Sequence, residues 1–290
     1  LSAPNLRRVT FAKGRFLENV SIRLRRSAVG WEHIEFNALV PSQLASTQAG
    51  IAAGPQSFTF RYGPLAEGAY YPLLARISDT GGLLRAFDAV DGIKGGYCEI
   101  VGKSDGPTPG HPMRATLSCQ RITDTEASPM GKILNATVSM SGIRQALAGE
   151  GITFDQVRGD IVWHNGIATI TSAEASNNTL GVTIDGRLAI EPHSIDARGT
   201  VIPAYTVNRL IGRIPLIGGL FNEGEGFLAG HFRVSGRLSD PEITAQPLKS
   251  ITPSILVRFK RLFAGGDEDV PGFRLNGDAR PDTALAPRPP

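Results

Sequence analysis

Val182-Thr183-Ile184-Asp185-Gly186-Arg187-Leu188-Ala189-Ile190 decides the fold. In an extended chain Val182, Ile184, Gly186, Leu188 and Ile190 fall on one side, and Thr183, Asp185, Arg187 and Ala189 on the other. A period of two marks a strand with one apolar and one wet face. The same alternation recurs in Val20, Ile22 and Leu24, in Phe58, Phe60 and Tyr62, and in Tyr71, Leu73, Ala75 and Ile77. It returns in Met113, Ala115, Leu117 and Cys119, and in Phe232, Val234, Gly236 and Leu238. Asn165-Gly166, between Ile161-Val162-Trp163 and Ile167-Ala168-Thr169-Ile170, predicts a two-residue hairpin. Asp185-Gly186 and Asp240-Pro241 read as further punctuation.

The composition agrees. The chain has 290 residues, and its 34 Gly and 20 Pro supply many turns between short strands. With 41% hydrophobic and 20% charged residues it is neither a disordered chain nor a membrane-spanning one. A net charge of +3 is too small to argue for nucleic acid. Arg7, Arg8, Lys13, Arg15, Arg23, Arg25 and Arg26 are opposed locally only by Glu18, and read as the solvated face of strands. The chain opens on Leu1 close to strand-like sequence, with no apolar leader, so we expect a fragment whose amino-terminal portion and membrane anchor lie upstream.

Helices are few. Residues 79–91 open on Asp79 as an N-cap and space Leu83, Leu84, Phe87 and Val90 helically. Residues 128–148 read as a helix broken at Gly131 and at Ser141-Gly142, and a third runs from Pro203 to Arg213. A fourth, Thr252 to Phe263, carries Pro253 in its first turn. Strands, a helix and more strands recur over 71–148 and 152–263, a weak internal repeat. The ordered region is expected to run continuously over 1–264, with a disordered tail over 265–290. About fourteen strands at ~4.8 Å spacing make a sheet roughly 65 Å long. Four short helices cannot cover it, so the apolar face must be buried by the sheet curling, or by something outside this chain.

A search for chemistry finds none. His33, His111, His164, His193 and His231 stand singly, without a second His or Cys at metal-ligand spacing. There is no G-x-S-x-G elbow. Gly96 to Ser104 resembles a phosphate loop, but five residues separate Gly96 from Gly102 where four are needed, and the stretch reads as a strand. Neither catalytic residues nor a metal or cofactor are expected.

Residues 199–253 carry a family resemblance. They run Gly199-Thr200-Val201-Ile202-Pro203-Ala204-Tyr205, Asn208, Gly212-Arg213-Ile214-Pro215-Leu216-Ile217-Gly218 and Gly224-Glu225-Gly226. They continue with Phe232-Arg233-Val234-Ser235-Gly236, Asp240-Pro241, Gln246-Pro247-Leu248 and Thr252-Pro253. This resembles the carboxy-terminal region of AsmA-like proteins, in the YhdP-like branch. Gly149 to Asp155 resembles the entry to that region, and 149–264 is the most family-specific part. Asn222-Glu223 and Gln246 depart from the pattern, both in turns.

The resemblance implies a long periplasmic protein anchored in the inner membrane of a Gram-negative bacterium. It implies a mainly β fold, a long curved antiparallel sheet forming a groove, taco-like or β-helix-like, with a few short helices. Such a groove shelters phospholipid acyl chains between the inner and outer membranes. The alternative is an assembly or scaffolding factor for outer-membrane proteins, which would bind unfolded strands at an open sheet edge. A carbohydrate-binding surface needs more exposed aromatics than Trp31 and Trp163 supply. Phospholipid, a membrane surface and other envelope proteins are the expected partners.

Specific residues follow from these readings. Val182, Ile184, Leu188 and Ile190 are expected to line the groove. Ile214, Leu216, Ile217, Leu220 and Phe221 lie in an uncharged run that either plugs the sheet end or touches membrane. Ile255, Phe259, Leu262 and Phe263 share one arc of the last helix, flanked by Arg258 and Arg261. That suits an interfacial membrane helix, or a cap on the last strand. If the strands around Pro107, Pro109 and Pro112 pair as a hairpin, Cys98 and Cys119 sit opposite one another at disulfide distance. A one-residue slip would turn them to opposite faces.

Overall fold

The computed structural model describes residues 1–41, 56–64, 70–126, 128–137, 149–189, 191, 193–203, 230–237, 240–247, 257, 259 and 262. Its strands are β1 (Ser2–Thr10), β2 (Phe16–Ser27), β3 (Gly30–Val40), β4 (Gln56–Tyr62), β5 (Tyr71–Ile77), β6 (Ile93–Ser104) and β7 (Thr108–Pro109). They continue with β8 (Met113–Asp124), β9 (Ile152–His164), β10 (Ile167–Ser176), β11 (Leu180–Ala189), β12 (Ser194–Pro203), β13 (Gly230–Arg237) and β14 (Asp240–Pro247). The fold is mainly β. Thirteen strands pair antiparallel in chain order from β1 to β14, and the short β7 adds to β3. The sheet does not close into a barrel.

Local sequence accounts for the turns. Asn165 and Gly166 both take positive φ, at 48° and 76°, and join His164 to its direct partner Ile167. That is the mirror-image turn whose twist matches flanking strands. Asp185-Gly186 is not a turn: both residues lie inside β11, opposite Arg198 and Ala197. A Cβ on Gly186 would come within 2.5 Å of Ala197 Cα, so here glycine permits close strand approach. Asp240-Pro241 begins β14.

Among the described residues two α-helices run unbroken, and both pack on the sheet. The first, α1 (Thr80–Ala86), opens on Asp79, whose Oδ1 accepts the Gly82 N–H at 2.9 Å. It stops earlier than the apolar spacing predicts, because Phe87 is its C-cap and Asp88 takes φ 55°, leaving Val90 outside. The second, α2 (Pro129–Thr137), is not broken at Gly131. A Cβ there would collide with the Thr125 carbonyl, so glycine serves packing. The expected helical residues 138–148 and 204–213 lie outside the described residues, as does the tail over 265–290.

The sheet curls. Ser128 ties the start of α2 to Asp124 at the end of β8, yet the helix packs against β13 and β14. A flat sheet would put β14 about 29 Å from β8, whereas a helix of this length reaches only ~13 Å. Bends contribute to this shape. Gly95, Gly96 and Arg121 all take positive φ at one level of β6 and β8. The bend lets Ile122 pack in the same apolar cluster as Cys119, three residues before it.

Candidate functional site

The register sorts the sheet into two unlike faces. Ala3, Ile22, Phe36, Phe60, Ala75 and Ile100 oppose one another in turn across β1 to β6. Leu117, Gly159, Ala173, Ile184, Gly199, Phe232 and Ala245 continue the row through β14. This row crosses all thirteen strands without one polar side chain. At ~4.8 Å per spacing it is roughly 58 Å long.

One residue along each strand the chemistry reverses. Asn37, Thr59, Arg76, Glu99, Ser118 and Arg158 form a polar row, continued by Glu174, Thr183, Thr200, His231 and Gln246. Arg76 Nε donates to Glu99 Oε1 at 2.8 Å, and this contact raises the guanidinium pKa above its ordinary value. The cations of the first strands are also partnered. Arg8 meets Glu18, Arg23 meets Glu35 and Arg25 meets Glu32, while Lys13 and Arg15 reach Asp88 beyond α1. Arg8, Arg23 and Arg25 are solvated, whereas Lys13 and Arg15 tie the β1–β2 turn to the end of α1.

The apolar face is partly covered. At one margin α1 closes a cluster of Leu17, Val20, Val40, Ile77, Leu83 and Cys98, among others. At the same margin α2 closes a second around Leu134, Phe154, Leu180, Val182, Val201 and Phe232. Between the margins Phe36, Phe60, Ile100, Leu117, Ile161 and Ile184 are only half-buried. Taking a side chain of that size from full exposure to full burial is worth ~1.5–3 kcal/mol, and these have part of that still to gain, so the middle of the face keeps some apolar surface for an occupant.

The expected groove residues divide accordingly. Val182, Ile184 and Leu188 all lie on the apolar face, because they oppose Val201, Gly199 and Ile195. Val182 is 1% exposed, in the same closed cluster as Leu134 of α2, and so belongs to a core rather than an open groove. Ile184 and Leu188 are half-buried. Ile190, Ile214, Leu216, Ile217, Leu220, Phe221, Ile255, Arg258, Arg261 and Phe263 lie outside the described residues. Phe259 is 1% exposed, and Leu262 is half-buried. Cys98 and Cys119 are direct partners and form a disulfide, with Cα atoms 4.1 Å apart.

Two features carried no sequence signal that was read. Burial pushes the Asp124 carboxyl up to about 6, although the Ser128 hydroxyl donates to it and opposes the shift. Ser128 Oγ in turn accepts the Gly131 N–H at 2.8 Å, so the pair caps α2, while Asp124 Oδ2 has no partner. The other is Tyr62, 2% exposed, whose hydroxyl donates to the Gly106 carbonyl at 3.1 Å and accepts the Thr108 N–H at 3.0 Å. Burial raises its pKa above the ordinary phenol value. The signal for Tyr62 was a polar-tipped aromatic ending an otherwise apolar alternation. Among the described residues no group of three His, Cys, Asp or Glu is placed to hold a metal. None of the helices among the described residues is long and apolar enough to cross a membrane. No protein-family model, curated protein or solved structure matches the chain.

Proposed function

We propose that this chain shelters the acyl chains of phospholipid along the apolar face of its sheet, as part of a bridge between the two membranes of a Gram-negative envelope. The unbroken apolar row from Ala3 to Ala245 carries the reading. An ordinary core needs neither a row across every strand nor a half-buried middle. The occupant's chemistry follows from the strands, whose N–H and C=O groups are spent on their neighbours. A peptide lying on this face would leave its own backbone unpaired against hydrocarbon, at a cost of several kcal/mol. An acyl chain has no such groups. The resemblance of residues 199–253 to AsmA-like proteins supports the same reading, and with it a periplasmic chain belonging to a membrane-anchored protein. The chain acts as a conduit, not as an enzyme.

The alternative, an assembly factor that captures unfolded strands, uses the sheet edges instead. It has in its favour that β1 and β14 end the sheet among the described residues. Pro241 and Pro247 in β14 weigh against that edge, because proline offers no N–H to an added strand. Extraction and mass spectrometry of the purified protein separates the two. Stoichiometric phospholipid is expected, and lipid at trace level overturns the proposal.

A further inference from the structure

The connection from β6 to β8 is longer than the fold needs. Ser104 and Met113 are direct partners, a gap that two residues can close, as Asn165-Gly166 does between His164 and Ile167. Instead residues 105–112 fold back past the ends of β5 and β4 and join β3 as β7, with Thr108 opposite Trp31 and Pro109 opposite Gly30. The docking is close. A Cβ on Gly30, which has φ 150°, would come within 2.5 Å of the Thr108 carbonyl oxygen. Tyr62 fastens the strap from below through its two hydrogen bonds, while its ring stacks on Tyr71 at 5.7 Å.

Strand β4 shows what the strap lies beside. Phe58, Phe60 and Tyr62 alternate onto the apolar face. Phe58 meets Phe87, the C-cap of α1, edge-on at 6.3 Å, and Tyr62 meets the strap. The helix and the strap therefore flank one face at opposite ends of one strand, with Phe60 on the floor between them. Four residue steps separate the two walls, ~13 Å before their own side chains are counted. An α-helix with its side chains is ~10–12 Å across, so once the walls' own side chains are counted the room suits a thinner occupant.

We propose that the 105–112 strap, held by the Tyr62 hydroxyl, is a side wall that sets the width of the apolar channel and so the bulk of the acyl chains it admits. This rests on the lipid-sheltering reading. Ile100 and Leu117 extend the floor beside Phe60 in the same row, so the wall governs the β4–β8 section. Elsewhere in the described sheet the hairpin turn at Asn165-Gly166 is too short to form such a wall.

The test compares the full chain with Tyr62→Phe, which keeps the ring, and with a variant in which Asn-Gly replaces 105–112. Each is loaded from vesicles mixing plain phosphatidylethanolamine with phosphatidylethanolamine bearing a pyrene on one acyl chain. Hydrogen exchange at Thr108 is followed in parallel. In Tyr62→Phe exchange at Thr108 should quicken at least ten-fold. The ratio of pyrenyl to plain lipid bound should rise at least five-fold in both variants, with thermal stability reported by circular dichroism. Unchanged exchange refutes the pinning role of Tyr62. An unchanged lipid ratio in the strapless variant, with plain lipid still bound, refutes the width proposal alone. No lipid bound by any of the three refutes the functional reading, and the width proposal with it.

Discussion

Cys119 on β8 lies directly opposite Val157 on β9, and this pair joins the two apolar clusters into one surface. Val157 packs against both, the cluster under α1 and the cluster under α2. Cys119 is bonded to Cys98, which opposes Ile77, so one row runs from the α1 wall to the α2 wall without a charged side chain. The two halves of the sheet thus share a face at the level where the disulfide sits.

That disulfide should contribute to stability. It closes a loop with a sequence separation of 21, for which the chain-entropy model gives about 3 kcal/mol. Cys98→Ala/Cys119→Ala should lower the unfolding free energy by about that amount in urea, and reductant should do the same to the wild type. Coincident unfolding curves would mean that the bond adds nothing.

Charge on the apolar face should act differently at its margin and in its middle. Val182→Asp puts a carboxylate into a closed cluster and should cost on the order of 4 kcal/mol. Ile184→Asp and Leu188→Asp, at half-buried positions, should leave the protein folded and cut bound phospholipid at least five-fold. Arg187→Asp, on the opposite face, is the control and should change neither. If all three apolar substitutions unfold the protein alike, the face is an ordinary closed core.

Period-two alternation made the sheet legible, because a strand half in water writes its two faces directly into the sequence. Alternation puts Val182, Ile184 and Leu188 on one face, and the register shows that this face is the apolar one. What alternation does not carry is depth: Val182 and Ile184 look alike in sequence, but Val182 is fully buried inside the cluster that includes α2, and Ile184 packs at its border and stays half-buried. Helix ends were legible where a side chain caps them, as at Asp79, and not where a backbone turn ends them, as at Asp88. Gly131 and Gly186 misled for one reason. Each was read as a chain breaker, whereas each makes room for a neighbouring backbone. The strap was hidden because its partners, Tyr62 and Trp31, are distant in sequence.

The Asp124 carboxyl should make stability depend on pH. Its pKa in the folded chain, about 6, lies above the ordinary 3.8, so the folded state holds the proton more tightly. The resulting stabilisation is complete below pH 3.8 and lost as the pH rises through about 6. It amounts to about 3 kcal/mol at ~1.4 kcal/mol per pH unit. Asp124→Asn should remove this dependence, visible as a flatter Tm profile between pH 4 and 7. A variant that follows the wild-type profile throughout assigns the dependence to other groups.

The last helical residues bear on the membrane contact. Phe259 is 1% exposed and Val257 58%, as expected of positions two apart on a helix, about 200° around it. The side bearing Phe259 is therefore spent on packing, and a membrane role for this helix would rest on the proposed contribution of its cations and on the Val257 side. Phe259→Ala should destabilise the protein by ~3–5 kcal/mol, as loss of a buried aromatic does. Arg258→Glu/Arg261→Glu should leave stability unchanged. Each cation near an anionic surface is worth about 1 kcal/mol, so reversing two should weaken flotation with anionic vesicles at least ten-fold. Neutral vesicles should bind the wild type and this variant alike. If the charge pair changes nothing on anionic vesicles while Phe259→Ala melts the protein, the helix caps the sheet and the membrane contact lies elsewhere.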